Sequence, residues 1–264
     1  MRSKWVSAPY FIWMAIFIVV PLGMVAYYAF TVEGKFSLQV FLDITIYAPV
    51  FFKSLWLAFL ATVISLILSY PLAYMMSRAT ALTQKTMVML IMLPMWMNFL
   101  LRIYALVTLL QENGLIERLF SLLGLEVHII NTSAAVVIGM VYNFIPFMLM
   151  PIYTVMTKID NNLIEAASDL GSNAFNVFQK VVLPLSFPGV VSGITMVFVP
   201  AASTFLIAQY LDGSNKLIGD FIEKEFMRDY STGSALSLVL MVVMFIFIGI
   251  TNRFGNDDME GMVI

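Results

Sequence analysis

The chain has 264 residues, of which 61% are hydrophobic and 11% charged, with a formal net charge of −2 and no cysteine; its mean hydropathy is +0.93. That composition lies outside soluble globular usage, so a polytopic membrane protein is expected, and a disulfide framework or thiolate metal site is excluded. The single histidine, His128, stands in a loop without ligand partners at metal spacing, so no metal site is expected.

In chain order, six apolar segments of spanning length occur at about 9–30, 54–76, 86–110, 133–156, 187–211 and 234–251. A hydrocarbon core of ~30 Å needs roughly 20 residues, and only the last segment is short. The expected fold is all-α and polytopic, with six transmembrane helices. The first segment follows Arg2 and Lys4. It is too long for a signal peptide and no small-residue cleavage pattern follows, so it reads as an uncleaved span.

Prolines punctuate the spans at Pro21, Pro71, Pro94, Pro146, Pro151 and Pro200. Each removes a backbone hydrogen bond, which suits either a bundle that opens and closes or simple packing irregularity. The third span contains LPMWMNFLLRIYAL (93–106). Arg102 is an intramembrane charge, with Asn98 four residues earlier on the same expected helical face and the aromatic Trp96 and Tyr104 on another side. Roughly 12 Å separates Arg102 from the near end of its span, so two readings stand: a pathway residue, or a side chain that snorkels. Two connecting segments, 115–123 and 217–230, have the spacing of amphipathic helices. Gly189 and Gly193 give the fifth span a small-residue face suited to close helix packing.

The most ordered polar interval lies between the fourth and fifth spans, KIDNNLIEAASDLGSNAFNVFQKVVLPLSFPG (158–189). Asp160 predicts an N-cap, Leu163, Ile164, Ala166, Ala167 and Leu170 a short apolar face, and Gly171 a left-handed C-terminal cap. Ser172 is expected to start a second helix, and Pro184 and Pro188 to end it. Two short helices meeting at a glycine, on a chain without enzyme signatures, make a shape for another protein to grip.

Glu165-Ala166-Ala167, then Gly171, then Val181-Val182-Leu183-Pro184 resembles the EAA loop of the permease subunits of bacterial ABC importers, with Val181 where that family usually has Ile. The patterns around Trp96, Asn98, Arg102 and Tyr104, and VYNFIPFMLMPIY (141–153) with Tyr142 and Asn143, are similar to permeases of spermidine/putrescine importers. The resemblance implies the type I ABC importer transmembrane fold. It makes residues 54–252 the permease domain, with a coupling loop at 158–188, after an N-terminal span and outer loop (1–53) and before a cytoplasmic tail (253–264). It gives Glu165, Ala166, Ala167, Gly171, Leu183 and Pro184 to contact with a cytoplasmic ATPase, and Trp96, Asn98, Arg102, Tyr104, Tyr142 and Asn143 to the substrate pathway. The implied partners are a second permease, two ATPase subunits that bind the ATP, and an extracytoplasmic binding protein, which the two amphipathic connections would support if they are not interfacial packing. No cofactor of the chain's own is implied.

Charge counting leaves the orientation open. With both termini inside, the inner segments hold seven basic residues and the outer ones six, while ten acidic residues fall outside and six inside. The resemblance requires the Glu165 loop to be cytoplasmic, in a bacterial cell membrane. No Gly-x4-Gly-Lys-Ser/Thr loop occurs, so the chain has no phosphate-binding ATPase motif of its own. No span holds Asp, Glu or His, which weighs against a proton- or sodium-coupled secondary transporter. That class, a channel, and an ABC permease for another small solute such as an anion remain the alternatives.

Overall fold

A computed structural model describes residues 8–32, 34–122, 124–125, 128–213 and 216–260. Arg2, Lys4, Glu33, Leu123, Glu126 and the last four residues of the expected tail lie outside the described residues. Among the described residues, six helical runs are long and apolar enough to cross a membrane: Pro9–Ala29, Gln39–Ser77, Phe99–Leu122, Ser133–Met156, Ala174–Ser203 and Tyr230–Phe254.

The first run is α1 (Ala8–Met14), one π turn and α2 (Val20–Ala29). None of its apolar window is buried by the rest of the chain. A two-stranded hairpin, β1 (Thr31–Val32) and β2 (Lys35–Phe36), turns at Gly34 with φ +77°. Next come α3 (Gln39–Asp43), a 3-10 turn and α4 (Ala48–Ser77), with Pro71 accommodated inside the helix.

The third span departs from expectation. α5 (Ala81–Met92) gives way to a 3-10 turn at Leu93–Trp96 and an extended Met97 (ψ 150°), and α6 runs from Phe99 to Leu110. Pro94 cannot donate to the ladder, and the Asn98 side chain accepts the Leu100 N–H at 2.8 Å, restarting the helix. Asn98 therefore caps α6, its carbonyl accepting the Arg102 N–H at 3.2 Å, rather than lying inside one continuous third-span helix.

α7 (Leu115–Leu122) leads to α8 (Ser133–Met156), α9 (Asn161–Asp169) and α10 (Ala174–Val177). From α10 the chain continues through a π turn, Phe178–Val182, into α11 (Leu183–Ser203). Pro184 and Pro188 thus do not end the second loop helix. Pro184 falls in the first turn of α11, directly after a π turn that has already interrupted the regular ladder, so its missing N–H is tolerated. The fifth span is also broken: Thr204 is extended and α12 covers only Leu206–Leu211. α13 (Ile218–Arg228) precedes α14 (Tyr230–Glu260), which makes the sixth span a long helix rather than the short one expected.

α8 is the centre of the bundle, with Met140, Met148, Leu149, Ile152 and Met156 fully enclosed. Lipid tails are as apolar as these side chains, so close packing rather than water exclusion holds the spans together. The small-residue face does this: a methyl at Gly189 would lie 2.9 Å from the Pro151 carbonyl, and one at Gly193 2.8 Å from the Met148 sulfur. Polar ties add register. Tyr70 on α4 bonds Ser186 on α11 at 2.8 Å, and the Tyr153 hydroxyl on α8 donates to Gln84 Oε1 on α5 at 3.2 Å.

Candidate functional site: a capped loop helix and a polar seam

The 158–188 loop is held mostly by its own backbone. Asp160 Oδ1 accepts the Asn162 N–H at 2.9 Å, so α9 has the N-cap expected of it. At its other end Ser172 N donates to the Ala167 carbonyl (3.1 Å) and Gly171 N to the Ser168 carbonyl (2.9 Å). Gly171 sits at φ +83°. These two bonds and the left-handed glycine make a Schellman cap. The next helix starts one residue later than expected, because Asn173 rather than Ser172 caps it, accepting from Asn176 N at 2.8 Å.

No residue of α9 is buried; Leu163 is 50% exposed and Leu170 88%, with Glu165 and Ala166 also outward. Its described polar tie to the spans is Arg78, whose guanidinium donates to Asn161 Oδ1 and lies 5.6 Å over the Tyr74 ring. In the amino-acid order Arg78 is one basic residue among those of the inner segments, and nothing in its spacing announces the contact. Beyond the glycine, Phe178 stands edge-on to Tyr70 and Tyr74 at 5.8 and 6.1 Å, and Val182 is fully buried. Leu183 and Pro184 open α11 here. The loop therefore has a loose half, α9, and an anchored half that is the first turns of the fifth span.

The intramembrane candidates divide differently. Trp96 (78% exposed), Tyr104 and Tyr142 face outward from this chain, and the Tyr104 ring meets Tyr210 at 4.9 Å. Arg102 is buried against its own chain, with its guanidinium 5.5 Å over the Phe99 ring and its Nε without a hydrogen-bond partner. Asn143 is also buried: its Nδ2 donates to the Gly139 carbonyl at 2.9 Å and its Oδ1 has no partner. Leu106 packs on Gly139. One turn along each antiparallel helix, Arg102 and Asn143 therefore stand at one level of the α6–α8 seam, near the breaks before α6 and α12. Of the six candidates, Trp96, Asn98, Tyr104 and Tyr142 are exposed, while Arg102 and Asn143 are buried. A 430 Å³ groove beside α8 is instead apolar, lined by Met92, Met95, Phe147, Met150 and Met196 among others.

The amphipathic 217–230 segment is seated on its own chain. α13 buries Ile218, Gly219 and Asp220 against its own chain, and the Ile218 N–H donates to Ser54 Oγ at 2.9 Å. His128 pairs with Glu117 across α7 at 2.8 Å.

Residues 2–255 match the family described as binding-protein-dependent transport system inner membrane component. The spermidine/putrescine transport system permease protein PotB of Haemophilus influenzae is 36% identical, over 95% of this chain and 94% of its own. PotB of Escherichia coli is 34% identical over 88% and 90%. Among solved structures, a bacterial ABC transporter that imports the polysaccharide alginate superposes with a TM-score of 0.74 at 17% identity, covering 94% of this chain and 93% of that one. An inward-facing MetNI methionine ABC transporter gives 0.63 at 14% identity, covering 82% and 97%. The fold is thus that of an ABC importer's transmembrane subunit.

Proposed function

The chain belongs to the binding-protein-dependent transport system inner membrane component family, and on that premise we propose that it is a permease subunit importing spermidine and putrescine. The carrying observation for the mechanism is the loop: a helix capped at both ends, unburied, and joined through Gly171 to a rod that runs unbroken into the fifth span. The substrate assignment rests on the identity to two PotB permeases over nearly the whole chain.

In this reading α9 docks on a cytoplasmic ATPase through Glu165, Ala166, Ala167 and the exposed Leu163. Both termini are then cytoplasmic, since six spans return the chain to its starting side. The ATP engine belongs to the two ATPase subunits, as this chain lacks a phosphate loop. Closure of the ATPase pair pulls α9, and because α10, the π turn and α11 form one rod, the pull reaches the middle of the membrane. A second permease completes the pathway across the outward-facing Trp96, Tyr104 and Tyr142, and an extracytoplasmic binding protein delivers the substrate.

Aromatic faces hold an ammonium by cation–π contact worth about 0.5–2 kcal/mol each. Arg102 works against a cation and has no acidic partner among the described residues. Carboxylates in the path then come from the second permease. Arg102 also favours a second reading, an anion importer.

Deleting the gene and following labelled spermidine and putrescine separates the two. Loss of polyamine uptake is expected; unchanged polyamine uptake with loss of sulfate uptake would transfer the assignment to an anion and make Arg102 a ligand. Purification in mild detergent should co-isolate an ATPase and a second permease.

A further inference from the structure

At the end of the bundle opposite α9, a 680 Å³ cavity lies between the end of the first span and the start of the last. Tyr27 and Tyr28 close α2 and Tyr230 opens α14; their rings stand 5.6 Å (Tyr27 to Tyr28) and 6.0 Å (Tyr28 to Tyr230) apart, all partly open. Arg228 and Asp229 line the same cavity. Asp229 Oδ2 accepts the Thr232 N–H and hydroxyl at 3.1 and 2.6 Å, and Oδ1 accepts the Ser231 N–H at 3.1 Å. Those bonds, the Thr232 side chain first, hold its carboxyl below the usual carboxylate range, so it is a fixed anion. An ionised carboxylate has about four acceptor sites. The described bonds use three. Ser231 also lines the cavity, is 7% exposed, and its Oγ has no partner.

Interfacial tyrosines and an N-cap aspartate are ordinary at a membrane border. Neither accounts for a guanidinium and a carboxylate lining one cavity with an orphaned hydroxyl. A simple cation is repelled by Arg228 and a simple anion by Asp229. A ligand that carries both charges close together fits both, and the ring faces add a surface for its cationic end. Primary N–H donors suit the spare acceptor of Asp229 and the Ser231 hydroxyl better than a quaternary ammonium does. The neighbouring first span leaves its apolar flank uncovered by the chain, so an acyl chain has a surface to follow.

We propose that this cavity binds the headgroup of a phosphoethanolamine lipid, with the phosphate on Arg228 and the primary ammonium on Asp229 and the tyrosine rings. The inference needs only that the first and last spans cross a bilayer, so it stands or falls independently of the transported substrate.

The test is native mass spectrometry of the purified transporter complex supplied with equal phosphatidylethanolamine, phosphatidylcholine and phosphatidylglycerol. Retention of phosphatidylethanolamine about tenfold over phosphatidylglycerol is expected. Asp229→Asn keeps a good helix cap while removing the charge, and should abolish most of that preference; Arg228→Gln should weaken phosphatidylethanolamine and phosphatidylcholine together. Equal retention of the lipids by the unmodified complex overturns the proposal. So does displacement of the bound lipid by spermidine, which would make the cavity a site for the free polyamine.

Discussion

α9 and α13 are short polar helices of similar length at opposite ends of the bundle, each connecting two spans, yet they have opposite dependencies. α13 buries Ile218, Gly219 and Asp220 and is tied to the second span and its approach twice: its Ile218 N–H donates to Ser54 Oγ at 2.9 Å, and its Glu225 accepts the Tyr47 hydroxyl at 3.1 Å. α9 buries nothing and is completed by its own caps. A helix that needs its own chain for burial reports on folding. A helix that is self-capped and leaves Leu163 and Leu170 in the open is free to serve a second protein, as the proposed ATPase contact requires.

The strongest way to break this contrast is to lift α13 off its seat. A methyl at Gly219 would lie 2.7 Å from the Ser203 carbonyl oxygen and 2.8 Å from that of Thr204, backbone atoms that cannot rotate aside. Gly219→Val should therefore cost at least ~1–3 kcal/mol of stability. The expected outcome is a fall in membrane abundance and in the detergent melting temperature. Unchanged stability would mean that α13 is as independent as α9.

Gly171→Val should do the reverse. A side-chain carbon at this position would have nothing within 4 Å, so the penalty is purely torsional, from φ +83°. A β-branched residue in that conformation costs roughly 1–2 kcal/mol, confined to the loop. Membrane abundance should stay near normal while the ATPase subunit, or its stimulation by loaded binding protein, is lost. Gly171→Asn, which tolerates positive φ, should retain most coupling, and Glu165→Ala should show a milder loss. A Gly171→Val permease that couples hydrolysis to uptake at the native rate would reduce the loop to a connector.

The contrast is half legible in the amino-acid order. α9 can be read because its determinants are local: Asp160, Gly171 and an apolar face lie within one short stretch, and caps depend on neighbours in sequence. The spans are legible from hydropathy, but their breaks are not. Pro94 looks alike in sequence to Pro71, Pro146 and Pro200, which their helices absorb; whether the chain restarts depends on a side chain such as Asn98 and on what packs behind it. α13 is only half legible because an amphipathic face is the same whether lipid or protein covers it. The level shared by Arg102 and Asn143 follows only from the packing of Leu106 on Gly139, a long-range fact. The cavity at Tyr28 and Asp229 joins the first and last spans and has no local signature at all.

The smallest expected effect is a pH response of opposite sign at the two ends of the 217–232 segment. Burial is the main cause that raises Asp220 above the ordinary carboxylate value, partly offset by the hydrogen bond from Leu217 N and by nearby Lys224. Its neutral form is favoured in the folded state, so docking of α13 is strongest in acid and weakens as pH rises from about 4 through the folded value. Asp229 is lowered, mainly by the Thr232 hydroxyl. Its contribution to the first turn of α14 is full above the ordinary carboxylate value of about 4 and disappears as pH falls through the lower folded one. Amide hydrogen exchange, corrected for intrinsic rates, should therefore show α13 gaining protection on acidification while the amides of Ser231 and Thr232 lose it. Asp220→Asn should flatten only the first trend and Asp229→Asn only the second. Parallel trends at both sites would mean that α13 and the start of α14 open as one unit, and that Asp220 does not set the docking of α13.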